Sequence, residues 1–267
     1  MKDNFSTSVI EVKNLTCGYA DKVILQDVSF AVHAREMLFV IGGSGCGKST
    51  LLRCLIGLLK PFQGDITYFG KSFIAADAAQ RREILKTFGV LYQNNALWSS
   101  MTLAENISLP LEEHTSLSPA DREEIIMIKL AEVDLAGSEE LYPSELSGGM
   151  KKRAALARAL ALDPAIVFFD EPSTGLDPIT SREMDRLILQ VRDTLGTTMV
   201  VVSHQLSSIF RLADRVIMLD RDAKGIIAEG TPAELAATST DPRVHDFLNQ
   251  DEDIPKRTEK PANANHP

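Results

Sequence analysis

The sequence has no apolar run near the roughly 20 residues that a helix needs to span a bilayer. Its first residues, MKDNFSTSVI, lack the charged-then-apolar layout of a signal peptide. These absences set the expectation of a cytoplasmic chain, peripheral at most on a membrane. Cysteine is scarce: Cys17, Cys46 and Cys54 are odd in number and match no paired metal-ligand spacing, which argues against a disulfide frame or a zinc site and suits reduced thiols. Positive charge is in deficit, 28 basic against 37 acidic residues, and a net charge of −9 disfavours a partner bound through a phosphate backbone. No nucleic acid is therefore expected. No internal repeat is present either, which excludes a solenoid.

What is present is an ordinary globular balance, 44 % hydrophobic and 24 % charged over 267 residues, enough for one large domain or two small ones. The opening third alternates β-like runs with turns, "SVIEVKNLTCGYA", "KVILQDVSFAV" and, past Pro61 and Gly64, "GDITYFG"; these predict a small antiparallel β layer. From about Trp98 to Lys152 the pattern turns helical. "DREEIIMIKLAEVDL" spaces Ile125, Ile128 and Val133 as a helix face, with Pro119 and Asp121 at its start. Beyond Leu160, "AIVFFDEP" and "TTMVVVSH" are continuous apolar strands divided by a helical stretch at Ser181–Leu195, the mark of a parallel sheet covered on both faces. The fold class is thus α/β, with an antiparallel β subdomain and a helical subdomain over about 97–152. From about Asp251, DEDIPKRTEKPANANHP has the composition of a disordered tail.

Chemistry concentrates at a few points. Gly42–Ser49, GGSGCGKS, fits GxxxxGK[ST] between a strand and a helix, as a phosphate-binding loop requires. There Gly42, Gly43, Ser44, Gly45, Cys46 and Gly47 turn backbone N–H groups toward phosphate oxygens. Lys48 reaches the β and γ phosphates, and the Ser49 hydroxyl ligates Mg²⁺, with Thr50 completing the run. "AIVFFDEP" ends a buried strand on two carboxylates at the edge where ligands of α/β sheets sit. Asp170 is assigned to Mg²⁺ and Glu171 to orienting the attacking water. His204, closing another core strand, suits a hydrogen bond to a γ phosphate; His33, His114, His245 and His266 receive no role. LSGGMKKR at 146–153 exposes bare N–H groups at a helix start, ready for an anion or simply a turn. Lys151, Lys152 and Arg153 stay open between the γ phosphate, a partner contact and solubility.

In this order the motifs resemble the ATP-binding cassette (ABC) ATPase family from about Val9 to Leu235. Gln93 resembles the family's Q-loop glutamine, LSGGM its LSGGQ signature, STGLD at 173–177 its D-loop, and His204 its switch histidine. The resemblance implies a P-loop NTPase, RecA-like core in an ABC ATPase domain over residues 8–236, with a C-terminal extension at 237–267. It implies ATP and Mg²⁺ as cofactors, and Glu171, His204, Lys48 and Gln93 as catalytic residues. Ser49, Gln93 and Asp170 face the metal, Asp177 serves the nucleotide through the D-loop, and Tyr19 stacks on adenine or else packs in the β layer. It also implies a head-to-tail homodimer in which Ser147, Gly148 and Gly149 donate in trans to the partner's γ phosphate.

The interval of about a hundred residues between loop and signature carries no sustained heptads, unlike DNA-repair cassettes. A single cassette, unlike those of translation, looks like the motor of a transporter with a separate permease dimer. "FGVLYQNNALWSSMTLAENISLPL" and Met150 in place of the signature's last Gln resemble the Mce/Mla-type phospholipid transporters. The triplet ALW stands where ALF is usual, and Asn94 and Asn95 where Ser and Gly are. That likeness implies an Mce-type lipid-binding protein and accessory subunits as partners, and a place on the inner face of the inner membrane. Amino-acid importers and non-transport ABC ATPases with a soluble partner are the alternatives.

Overall fold

The computed structural model describes residues 7–250. In chain order it runs β1 (Ser8–Tyr19), β2 (Lys22–His33), β3 (Met37–Ile41), α1 (Lys48–Leu55), β4 (Gln63–Tyr68), β5 (Lys71–Ser72), α2 (Ala78–Leu85) and β6 (Phe88–Leu91). The helical stretch follows as α3 (Leu103–His114), α4 (Pro119–Glu132), a 3-10 turn at Pro143–Glu145 and α5 (Gly148–Ala159). The chain then returns to the sheet through β7 (Ile166–Asp170), α6 (Pro178–Leu195), β8 (Thr198–Val202), α7 (Leu206–Leu212), β9 (Arg215–Asp220) and β10 (Gly225–Gly230), and ends in α8 (Pro232–Thr238) and α9 (Pro242–Leu248).

Two sheets result. The order β2-β1-β4-β5 is antiparallel throughout, as expected of the opening third, and β10-β9-β3-β8-β7-β6 is parallel apart from its β10 edge. Side chains alternate across a strand, so each core strand feeds two cores. Met37, Phe39, Ile41, Val167, Phe169, Met199 and Val201 face α3–α9, while Leu38, Val40, Ile166, Phe168, Val200 and Val202 face α1 and the β layer. This double burial explains why β3 and β8 are buried at every position, and why their sequences show no polar alternation.

Two expectations change. In α4, Ser118 and Asp121 form a reciprocal capping box with Pro119 behind it, as the start signals predict. Its inward residues, however, are Ile126 and Leu130, whereas Ile128 is 49 % exposed. Of the stripe Ile125, Ile128 and Val133, only Ile128 departs: Val133 is fully buried and Ile125 packs partly buried against the α-side core. The packed unit also continues beyond residue 236, because Val244 and Leu248 of α9 are buried in the α-side core. The tail expected from about Asp251 lies outside the described residues.

Candidate functional site

β3, β7 and β8 run parallel in a register that pairs Val40 with Val202 and Val202 with Asp170. Their carboxyl ends therefore release Gly42, Glu171 and His204 at one edge of the sheet. The loop after β3 depends on two glycines. Gly42 has φ 139°, and a Cβ there would lie 2.3 Å from the Leu219 carbonyl oxygen. Gly47 has φ 109°, and its Cβ would meet Leu25 Cδ2 at 2.8 Å. Any larger residue would open the loop. Gly47 also starts α1 without a side-chain cap, which leaves the first-turn N–H groups to a ligand at the positive end of the helix dipole. Lys48 Nζ donates to the carbonyls of Gly42 at 2.7 Å and Gly43 at 3.0 Å, so its ammonium sits inside the loop. Cys46 is buried in the same turn, and all three cysteines are free thiols.

Across the edge stand the two carboxylates. Asp170 Oδ1 is buried with no hydrogen-bond partner. Burial first, and then the adjacent Glu171 charge, push the Asp170 carboxyl up from its ordinary range, against the pull of Arg53, Lys152 and Lys48. A buried, unpaired carboxylate oxygen beside a lysine and the Ser49 loop fits the donor set for Mg²⁺, a hard cation that takes oxygen ligands. Glu171 adopts φ 52°, and its N–H donates to the Val202 carbonyl at 2.9 Å. Its Oε1 faces His204 Nδ1 at 2.7 Å, and its Oε2 accepts from Thr174 Oγ1 at 3.2 Å. The strand-end carboxylate is thus aimed by partners on two neighbouring segments.

Tyr19 ends β1 with its ring 42 % exposed, and its hydroxyl accepts from Arg53 Nη1 at 2.6 Å, which tethers the ring to α1. Gln93 follows β6 with an exposed side chain, and its carbonyl is bonded by Lys152 Nζ at 2.6 Å. Asp177 caps α6, accepting from the N–H groups of Ile179 and Thr180 and from the Thr180 hydroxyl. Those bonds, the Thr180 hydroxyl first, hold its carboxyl below the usual range. Ser147 caps α5 by accepting from Met150 N–H at 3.3 Å. Gly149 packs so closely on α6 that a Cβ would sit 2.6 Å from Thr180 Cγ2. Among the described residues, no hydrogen bond or ion pair links Ser147, Gly148 or Gly149 to the phosphate-loop cluster. The structure therefore brings Gly42–Thr50, Asp170, Glu171 and His204 to one edge, and leaves the signature start apart from them.

Sequence reasoning left Lys152 open and passed over Arg158 and Asn106. Lys152 is buried, Arg158 donates to the carbonyls of Ala96 at 2.6 Å and Asn95 at 3.0 Å, and Asn106 brackets Trp98 through its N–H and carbonyl. Together they fix the 93–98 segment against α5 and α3. Arg153, by contrast, pairs with Asp134 and Glu183 near the surface.

The ABC transporter family profile matches residues 25–174, which span the loop, the signature and both carboxylates. The chain belongs to the ABC transporter family. It is 42 % identical over 240 residues to the probable ribonucleotide transport ATP-binding protein mkl of Mycobacterium tuberculosis, with 90 % of this chain aligned but only 66 % of the relative's length spanned. The intermembrane phospholipid transport system ATP-binding protein MlaF of Haemophilus influenzae is 40 % identical over 255 residues, 96 % of each chain. Among solved structures, the dimeric post-hydrolysis ATP-binding cassette MJ0796 with ADP and Pi superposes with a TM-score of 0.74 at 28 % identity, covering 83 % of this chain and 98 % of that one. The ABC fold expected from the motifs is the fold observed.

Proposed function

We propose that the chain is an ATPase subunit that drives phospholipid transport between membranes through a separate permease. The observation that carries the ATPase reading is the shared sheet edge, where the loop of Gly42–Thr50, the unpaired Asp170 oxygen and the Glu171–His204 pair converge. The cargo rests on coverage: the phospholipid-transport relative aligns over 96 % of both chains, whereas the chain spans 66 % of the ribonucleotide-transport relative.

In this reading the loop amides and Lys48 bind the β and γ phosphates, and Tyr19 supports the adenine. Ser49, Asp170 and Gln93 would hold Mg²⁺, which when bound would supply neutralising charge to the phosphates. Glu171 orients the attacking water and accepts its proton, while His204 donates to the γ phosphate and, through Nδ1, keeps Glu171 in place. Ser147, Gly148, Gly149 and Asp177 act across a homodimer, since the signature start is detached from its own chain's loop. The ATPase domain, with a helical subdomain over about 97–152, docks on the inner membrane face against a permease dimer, an Mce-type protein and accessory subunits. Among the described residues no helix is long and apolar enough to cross a membrane, and in this reading the translocation path lies in those partners.

Glu171→Gln is expected to bind ATP with unchanged affinity and to lower turnover about a thousandfold. Wild-type turnover in that variant would remove Glu171 from the chemistry. For the cargo, the tagged chain drawn from solubilised membranes should carry a multi-spanning permease, an Mce-type protein and bound phospholipid detectable by mass spectrometry. Recovery with an amino-acid permease and no phospholipid would overturn that assignment while leaving the ATPase reading intact.

A further inference from the structure

Lys152 is 3 % exposed, among the most deeply placed cations in the described chain. An ammonium buried that far is costly unless its donors are used. Its Nζ donates to the Gln93 carbonyl at 2.6 Å and lies 3.5 Å from the Glu171 carbonyl, two groups 59 and 19 residues away. Burial pulls the pKa of Lys152 down, and the carboxylates of Asp170 and Glu171 oppose that shift only in part. Around it, Ala154, Ala155, Leu156 and Ala159 make α5 an apolar packing helix, a place that Met or Leu would fill without a charge.

The two carbonyls belong to the two segments whose placement decides turnover. Glu171 stands in the left-handed region at φ 52°, a conformation that a non-glycine residue keeps only when its surroundings hold it. Its N–H is fixed by Val202, and its carbonyl faces Lys152. Five residues before Lys152 on the same helix lies Ser147, the α5 cap. One side chain thus spans the signature helix, the Gln93 segment and the backbone of Glu171.

We propose that Lys152 is a positioning residue for ATP hydrolysis, a buried cation that locks the Gln93 segment and the Glu171 backbone to the signature helix. The proposal rests on the ATPase reading above. A displacement of α5, or of the Gln93 segment, is then carried to Glu171 through a single ammonium group, so turnover responds to events at either end of the helix.

Lys152→Met, close in volume and uncharged, provides the test, with Lys152→Arg as the conservative partner. Lys152→Met should lower kcat by about tenfold or more while KM for ATP stays within about twofold, because the loop residues are untouched. Amide hydrogen exchange should rise selectively in residues 93–97 and 171–174, and Lys152→Arg should restore both kcat and protection. Wild-type kcat and exchange in Lys152→Met would overturn the proposal. So would a loss of kcat with uniformly raised exchange across the β layer, which would mark a general loss of stability. If the wild-type chain itself failed to hydrolyse ATP, the ATPase reading would fall, and the selective exchange pattern would still decide whether Lys152 locks the two segments.

Discussion

Two helices of this chain begin on glycine-rich turns, α1 at Lys48 and α5 at Gly148, and they are completed in opposite ways. α1 follows Gly47 in a left-handed conformation with no side-chain cap, beside Asp170, on which the Lys48 charge acts directly. α5 follows Ser147, whose hydroxyl caps the first turn, and its glycines pack on Leu176 and Thr180. The same backbone chemistry, bare amides at a positive helix end, becomes a full phosphate site only where a sheet edge adds a lysine and two carboxylates. At α5 the amides have no such company among the described residues, which is the physical ground for proposing that they act on a second copy.

The comparison breaks most severely at Lys48. Lys48→Ala removes the cation that completes α1's site and should weaken ATP binding by about 30-fold or more, the effect of losing a charge-assisted bond worth about 2 kcal/mol. Calorimetric titration with ATP and Mg²⁺ reads it. Unchanged affinity would mean that the amides alone hold the phosphates, and the distinction drawn between the two helix starts would collapse.

A smaller effect is expected at α5. Ser147→Asp keeps a good helix cap, so folding is preserved, but places a negative charge where the proposed dimer would seat a partner's γ phosphate. Turnover should fall about tenfold, while the affinity of the single chain for ATP stays within about twofold. In a Glu171→Gln background, light scattering with ATP should show dimers that disappear on adding Ser147→Asp. Persistent dimers with full turnover would return α5's start to an ordinary helix turn.

The difference between the helix starts also explains what could be read in the sequence. The α1 site was legible because its parts are local: a glycine spacing, a lysine, and two acids ending an apolar strand. Lys152 and Arg158 were not, because their partners are main-chain carbonyls 19 to 63 residues distant, and a carbonyl has no residue signature. One signal was available, since Lys152 lies three, four and seven residues before the buried Ala155, Leu156 and Ala159, which places it on the core face of α5. Within α4, Ile128 alone departs from the expected stripe for a related reason: Ile125, Ile126 and Ile128 offer overlapping faces, and only packing against the core selects Ile126 and Leu130 over Ile128. α9 is not evident in the sequence because it is only seven residues long and buries two of them, Val244 and Leu248, with Phe247 partly covered.

The smallest expected effect separates the two sites by stability. Burial raises the pKa of Asp170 above its ordinary 3.8, so the folded chain holds that proton more tightly than the unfolded one. The sign follows from linkage: ionised Asp170 costs stability at neutral pH, and the cost fades as pH falls through the raised value and is gone below the unfolded one. Asp170→Asn should therefore raise Tm at pH 7 in chelator by no more than about 4 °C, the shift that about 1 kcal/mol produces in a chain of this length. The difference should shrink toward pH 4 and reverse with ATP and Mg²⁺, which stabilise the wild type by binding. Ser147→Ala should do the opposite at α5, lowering Tm with or without nucleotide, because it removes a cap worth about 0.5–2 kcal/mol. If Asp170→Asn instead lowered Tm in chelator, the buried carboxylate would be a structural support, and α1's edge would carry no cost for its function.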